Sequence, residues 1–279
     1  MERIKIAIER ARQQQAVSPP ARRDRPGDAG TDGACSPAAP ASPEHANLGA
    51  PVDLLPLDPV HLEKHRIVTL DPVNPFRREF DLLRTQVLQK MQEKGWRTIA
   101  VTSPSVQSGK TVVAVNLALS IAHHPSRTAL LVDFDLRRPQ VAAYLGLPPA
   151  DSMNEVLEGR ADLRDAIVHA GIPRFLVLPT RRRVPHAAEM LSSDQVAKII
   201  GRLRDHYPER VIIFDMPPIT AVDDVIAVLP KMDCVLLVVG SGSSSRRELE
   251  ETQRHLGRSN LLGVVVNKVA EQPALEDYY

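Results

Sequence analysis

Thr102-Ser103-Pro104-Ser105-Val106-Gln107-Ser108-Gly109-Lys110-Thr111 decides how the rest of this 279-residue chain is read. The stretch follows an apolar, β-branched run, Arg97 to Thr102, and opens a helical pattern, Thr111 to Ala122. A strand, a turn containing Gly-Lys-Thr and a helix are the parts of a phosphate cradle, because turn amides and the helix N-terminus both point at phosphate oxygens. Read that way, Ser105, Val106, Gln107, Ser108, Gly109, Lys110, Thr111 and Val112 form the loop and the first helical turn. Lys110 neutralises β- and γ-phosphate charge, and the Thr111 hydroxyl ligates Mg2+. Gly-Lys-Thr alone is a weak signal, so the surrounding pattern has to carry it. Pro104 stands where the first glycine of G-x-x-x-x-G-K-[ST] is expected, which restricts the turn.

Working outward, short β-branched runs alternate with helical segments. The predicted strands are Arg97 to Thr102, Ala129 to Phe134, Phe175 to Leu178, Val211 to Phe214, Val235 to Val239 and Leu262 to Val266. The predicted helices are Thr111 to Ala122, Ser193 to Asp205, Ala221 to Leu229 and Arg246 to Leu256, with shorter pieces at Val141 to Leu145 and Asn154 to Leu157. This is the pattern of a doubly wound, mostly parallel α/β sheet covered on both faces, a P-loop NTPase fold with deviant Walker motifs. Such sheets bind ligands at the carboxyl ends of their strands.

Two more strands end there in carboxylates. Ala129-Leu130-Leu131-Val132-Asp133-Phe134-Asp135-Leu136-Arg137-Arg138-Pro139 sets Asp133 and Asp135 two residues apart, on one side of an extended segment. Val211-Ile212-Ile213-Phe214-Asp215-Met216-Pro217-Pro218 delivers Asp215, and the proline pair stops that strand. A single aspartate at a strand end is more often a cap or turn residue. Three around one phosphate loop suit a magnesium-nucleotide site, with one left to orient or deprotonate a hydroxyl acceptor.

Composition narrows the alternatives. Lys+Arg 35 against Asp+Glu 34 gives a formal charge of +1, without the basic field that nucleic-acid binding requires. Cys35 and Cys234 lie in unrelated contexts and suggest neither a disulfide framework nor a metal cluster. The longest apolar runs, such as Cys234 to Gly240, are far short of the roughly 20 residues that span a bilayer. The expected organisation is an N-terminal basic helix at 1–15, a disordered linker at 16–60 and a lead-in segment at 61–95. The phosphate-loop domain at 96–268 and a tail at 269–279 follow. The linker expectation rests on 22 Pro, Ala or Gly among 45 residues with no hydrophobic period. In the lead-in segment Phe76, Phe80, Leu83 and Val87 recur at helical spacing after Pro75. Ile4, Ile8 and Ala11 give the first helix an apolar stripe that suits a partner or a membrane surface, or simply a frayed end.

With these motifs assembled, the chain resembles the bacterial tyrosine kinases, and more closely the tyrosine autokinases of exopolysaccharide and exosortase loci. The resemblance runs from Phe76 to Tyr279 and rests on a Walker A loop (Pro104 to Thr111), a Walker A′ strand (Leu130 to Arg137) and a Walker B strand (Val211 to Pro218). It implies a protein-tyrosine autokinase that uses ATP and Mg2+. Lys110, Asp133, Asp135 and Asp215 would be catalytic, Asp133 acting on the tyrosine hydroxyl, with Thr111, Asp135 and Asp215 around the metal. Asn267 would read adenine or cap its strand. Arg137 and Arg138 would contact phosphate or a neighbouring subunit, or lie in a solvated loop, as Arg181-Arg182-Arg183 is expected to do. The resemblance also implies a cytoplasmic chain held at the inner face of the membrane by a separate membrane-spanning chain-length regulator, and assembly with itself into a ring. The ring helix of many relatives carries E-x-x-R-x-x-R; here those positions are Arg78, Asp81 and Arg84, with the first two signs exchanged.

Two other readings compete. A partition-type positioning ATPase carries an additional lysine where this chain has Ser105, which argues against that class. A degenerate nucleotide-binding regulator of polysaccharide export is kept open by Pro104. The tail ends Leu275-Glu276-Asp277-Tyr278-Tyr279, with two of the four tyrosines at its tip, and Tyr278 and Tyr279 are the expected phosphoacceptors. Tyr278 lies eleven positions after Asn267, a reach of at most about 35–40 Å.

Overall fold

The computed structural model describes residues 57–206, 210–221 and 224–269. The expected N-terminal helix, most of the linker, Cys35, Tyr207 and the tail with Tyr278 and Tyr279 lie outside the described residues. The described chain begins with α1 (Pro59–Lys64) and α2 (Arg77–Lys94), and the sheet starts at β1 (Thr98–Thr102). Then come α3 (Lys110–His123), β2 (Thr128–Asp133), α4 (Val141–Leu145), α5 (Met153–Leu157), β3 (Val168–His169) and β4 (Phe175–Leu178). The second half runs through α6 (Ala187–Ser192), α7 (Asp194–His206), β5 (Arg210–Asp215), α8 (Asp224–Val228), β6 (Cys234–Gly240), α9 (Arg246–His255) and β7 (Leu261–Asn267).

The seven strands lie in the order β3-β4-β2-β5-β1-β6-β7. Every pairing is parallel except β3 with β4. β1 and β4 are buried along their whole length, as are β5 and all but the first residue of β2, which is why they read as continuous apolar runs rather than alternating ones. α3 is buried almost all round, so it shows little amphipathic period and sits against the sheet as a central helix. Its Asn116 is a fully buried polar side chain in the middle of the helix. The Asn116 Oδ1 accepts from the Val68 and Thr69 amides (2.8 and 3.1 Å) and from Thr69 Oγ1 (2.8 Å), while Nδ2 donates to Arg66 O (3.0 Å). That satisfied amide straps segment 66–69 to the helix that carries Lys110.

Three expectations are corrected here. The linker does not run to residue 60: Asp58 caps α1, its carboxylate accepting from the Val60 amide at 3.0 Å, with Pro59 in the first turn. Averaging composition over the segment hid that cap. α8 begins at Asp224 rather than Ala221, and β3 and α6 had no prediction, being a two-residue edge strand and a single-turn-scale helix. The lead-in helix α2 ends at Gly95, which takes the left-handed conformation (φ 69°) that stops a helix cleanly.

Candidate active site

β1, β2 and β5 end together, and their ends fix the site. The loop after β1 turns through two left-handed residues, Gln107 (φ 59°) and Gly109 (φ 87°), before α3 starts at Lys110. Glycine is favoured at 109 by its left-handed backbone, and a Cβ there would also displace the Asn267 side-chain amide. Inside the loop, Ser103 Oγ and Ser108 Oγ both donate to the Ser105 carbonyl (2.8 and 2.9 Å). Pro104 has no amide to offer, but its carbonyl accepts from Thr220 Oγ1. The Ile219 amide donates to Ser103 O at 2.8 Å, and Thr102 Oγ1 donates to Pro217 O at 2.7 Å. The segment after the proline pair therefore braces the phosphate loop along its first half. Thr220 carried no motif signal in the sequence.

Asp133 and Asp215 are register partners across β2 and β5, both fully buried. Lys110 Nζ lies 3.0 Å from Asp135 Oδ2 and 3.6 Å from Asp215 Oδ1, and Thr111 Oγ1 donates to Asp215 Oδ2 at 2.7 Å. Burial alone would lower the Lys110 pKa; the Asp215 and Asp135 carboxylates outweigh it and hold the ammonium charged. Burial raises both Asp215 and Asp133, Asp215 being partly compensated by Lys110 and Thr111. Asp133 differs in what holds it. Its Oδ1 accepts from the Asp135 amide (3.2 Å) and its Oδ2 from the Gln140 and Val141 amides (3.0 Å each), so it shapes the loop from 134 to 141. β2 stops at Asp133, so the expected placement of Asp133 and Asp135 along one extended segment is corrected. The two still meet, because the chain folds back and the Asp135 amide bonds to the Asp133 side chain.

Other predicted residues fall around this centre. Asn267, at the end of β7, donates from Nδ2 to Ser108 O at 3.0 Å and so grips the phosphate loop backbone. Arg137 and Arg138 are exposed on the loop after β2. Arg137 lines a cleft of about 350 Å³ with Ile219, Thr220, Ile226, Glu251 and His255. Arg182 and Arg183 are exposed, as expected of a solvated loop, while Arg181 is half-buried. Arg181 donates to Leu147 O (3.3 Å) and Pro148 O, and Arg182 pairs with Glu155 (2.9 Å) and Glu158 (3.3 Å). The exchanged charge on α2 is used within the chain. Asp81 pairs with Arg84 at 2.9 Å and accepts from Ser120 Oγ at 2.8 Å, fastening α2 to α3, while Arg78 is exposed.

Asp215 Oδ1 is buried and has no hydrogen-bond partner, facing the Lys110 ammonium at 3.6 Å, an arrangement that leaves room in its hydrogen bonding for a metal ion's bound water. Thr111, Asp135 and Asp215 offer only hard oxygen donors, which fits Mg2+. Among the described residues no three His, Cys, Asp or Glu converge as a self-sufficient metal cage.

Comparison with known proteins agrees with this geometry. Residues 99–278 match the family described as CobQ/CobB/MinD/ParA nucleotide binding domain. The tyrosine-protein kinase CpsD of Streptococcus agalactiae serotype Ia is 29% identical over 198 residues, covering 70% of this chain and 83% of that protein. CpsD of Streptococcus pneumoniae serotype 4 is 30% identical over 176 residues, 62% of this chain and 76% of that protein. Among solved structures, the kinase domain of Escherichia coli tyrosine kinase ETK superposes with a TM-score of 0.68 at 27% identity, covering 76% of this chain and 84% of that one.

Proposed function

The chain belongs to the CobQ/CobB/MinD/ParA nucleotide-binding family and, within it, to the bacterial tyrosine-protein kinases; from that membership we propose that it phosphorylates the tail tyrosines Tyr278 and Tyr279 of another copy of itself, using ATP. The observation that carries the proposal is the seating of Lys110 between Asp135 and Asp215, with Thr111 bonded to Asp215, at the mouth of the phosphate loop.

Amides of the loop from Ser105 to Val112 hold the phosphates, and Lys110 leaves its acid partners for the β- and γ-phosphate oxygens. Thr111, Asp135 and Asp215 would hold Mg2+ and its waters; the ion, when bound, would supply charge neutralisation at the transferring group. The tyrosine oxygen forms its bond to the γ-phosphorus as the bond to the ADP oxygen breaks. The phenol, with a pKa near 10, is protonated at neutral pH, and Asp133 takes the proton. Burial suits Asp133 to that task by raising its proton affinity. Asn267 anchors the loop from the root of the tail. The proposal extends to the setting that the family resemblance implies: control of exopolysaccharide chain length and export, beside a separate membrane-spanning regulator. No helix among the described residues is long and apolar enough to cross a membrane.

Intact-mass analysis after incubation with Mg-ATP tests this. Wild type gains up to two phosphates, Lys110→Met gains none, and the Tyr278→Phe/Tyr279→Phe double variant gains none. Steady ATP hydrolysis without a mass gain on wild type would overturn the kinase reading. A gain that survives the double variant would move the acceptor to Tyr144 or Tyr207.

A further inference from the structure

A second loop touches the phosphate loop from the side opposite the proline pair. Residues Gly240-Ser241-Gly242-Ser243-Ser244 connect β6 to α9. They form a tight turn in which the Ser243 and Ser244 amides both donate to Gly240 O (3.1 and 3.3 Å). The Ser241 amide donates to Asn267 O at 2.8 Å, tying the turn to the end of β7. From this fixed turn the Ser244 hydroxyl lies 2.8 Å from Ser105 Oγ, and the Ser243 carbonyl lies 3.3 Å from the same oxygen. One proton assignment satisfies both contacts: Ser105 donates to Ser243 O and accepts from Ser244. The two backbones also touch, since a Cβ on Gly240 would sit 3.2 Å from Ser108 Cα.

Ser105 is only 6% exposed, and its side chain turns into its own chain at the position where partition-type relatives place a lysine. Its carbonyl is the acceptor shared by Ser103 and Ser108, so a displacement of residue 105 moves every internal bond of the loop. Pro104 leaves the first half of the loop without the flexible glycine that would let it wrap phosphate unaided. The geometry points to Ser244 as a positioning residue for the kinase reaction: acting through Ser105, it holds the phosphate loop in its nucleotide-binding shape without touching the nucleotide. This rests on the reading of the phosphate loop as the ATP site.

The role separates affinity from chemistry, because Ser244 contacts nothing at the acid cluster. Ser244→Ala should weaken binding of a fluorescent ATP analogue with Mg2+ by about 3- to 10-fold, the loss of one hydrogen bond. The KM for ATP rises by the same factor, and kcat for phosphorylation stays within about twofold. Ser244→Thr, which keeps the hydroxyl, restores affinity. Ser105→Ala gives a similar loss, and the Ser105→Ala/Ser244→Ala pair loses no more than either alone, as expected of partners in one bond. The melting temperature of the ligand-free protein, read alongside, stays within about 2 °C of wild type, since no core contact is removed. Unchanged affinity in Ser244→Ala, or strictly additive losses in the double variant, would overturn the inference. If wild type itself binds no nucleotide, the ATP-site reading fails and takes this inference with it.

Discussion

The ends of β2 and β5 look alike in sequence and differ in what they do. Each is an apolar run closed by a buried aspartate, and Asp133 and Asp215 are direct neighbours in the sheet. Asp133 is held by backbone, with three amides from its own loop on its two oxygens. Asp215 is held by the side chains of the phosphate loop, Oδ2 by the Thr111 hydroxyl and Oδ1 only by the Lys110 charge at 3.6 Å, without a hydrogen bond. A carboxylate bonded to amides is held in place, as the proposed proton acceptor must be, whereas one bonded to a lysine and a hydroxyl is poised to change partners when phosphate arrives. Burial is common to both, so the identity of the donors is what separates the two roles.

The largest way to break this contrast is to remove the mobile partner. Lys110→Met should cut phosphoryl transfer by about a thousandfold or more, since it deletes a charged donor aimed at the transferring group. Asp215→Asn should lose at least about a hundredfold while leaving the melting temperature nearly unchanged. Single-turnover transfer monitored by mass, with parallel thermal melts, checks both. If Asp215→Asn unfolds the protein instead, the open strand end is as structural as the closed one.

Asp133 should behave in the opposite sense. Asp133→Ala strips three buried amides of their acceptor and should cost about 2–4 kcal/mol of stability in urea unfolding, beyond any effect on transfer. Its titration sharpens the point. The folded-state pKa lies well above the usual 3.8 because of burial first and Asp215 second. A raised pKa favours the folded state fully below 3.8, and this contribution is lost as pH rises toward the folded value. Asp133→Asn should flatten that part of the stability profile above pH 3.8. Were Asp133→Asn to leave the slope untouched, the amides rather than the buried charge would dominate the site.

Much of this was legible before any coordinates. The buried strands were readable because both faces are covered and their apolar runs are unbroken. Lys110, Thr111 and Asp215 were readable because each sits at a fixed offset from a strand end. What escaped were side chains acting across the fold. Asn116 ties segment 66–69 from 47 to 50 residues away, and Thr220 reaches Pro104 from 116 residues away. Ser244 reaches Ser105 across 139 residues, and no motif marked it in the sequence. Three adjacent arginines read as a solvated loop, and Arg182 and Arg183 are exposed; the pattern did not report that Arg181 and Arg182 also meet carbonyls and the Glu155 and Glu158 carboxylates, which lie far off in sequence. Local pattern reports which elements form; it does not report which distant donor meets which acceptor.

Glu155 supplies the smallest effect and a control on the comparison. Like Asp133 it accepts hydrogen bonds from its own loop, from the Ser152 amide at 3.0 Å and the Ser152 hydroxyl at 2.6 Å, and it also pairs with Arg182. Unlike Asp133 it keeps contact with solvent. The slight burial pushes its pKa up, but the Ser152 and Arg182 bonds prevail and bring it from 4.5 to about 2. A depressed pKa contributes stability above pH 4.5 that is lost as pH falls through about 2, the reverse of the Asp133 dependence. Solvent screening limits the effect, so Glu155→Gln should reduce stability at neutral pH by no more than about 1 kcal/mol. It should also remove part of the fall between pH 4.5 and 2 seen in acid melts of wild type. An acid profile identical to wild type would mean that the Ser152 cap holds without the charge. Burial would then set the sign at Asp133 and leave exposed carboxylates energetically silent.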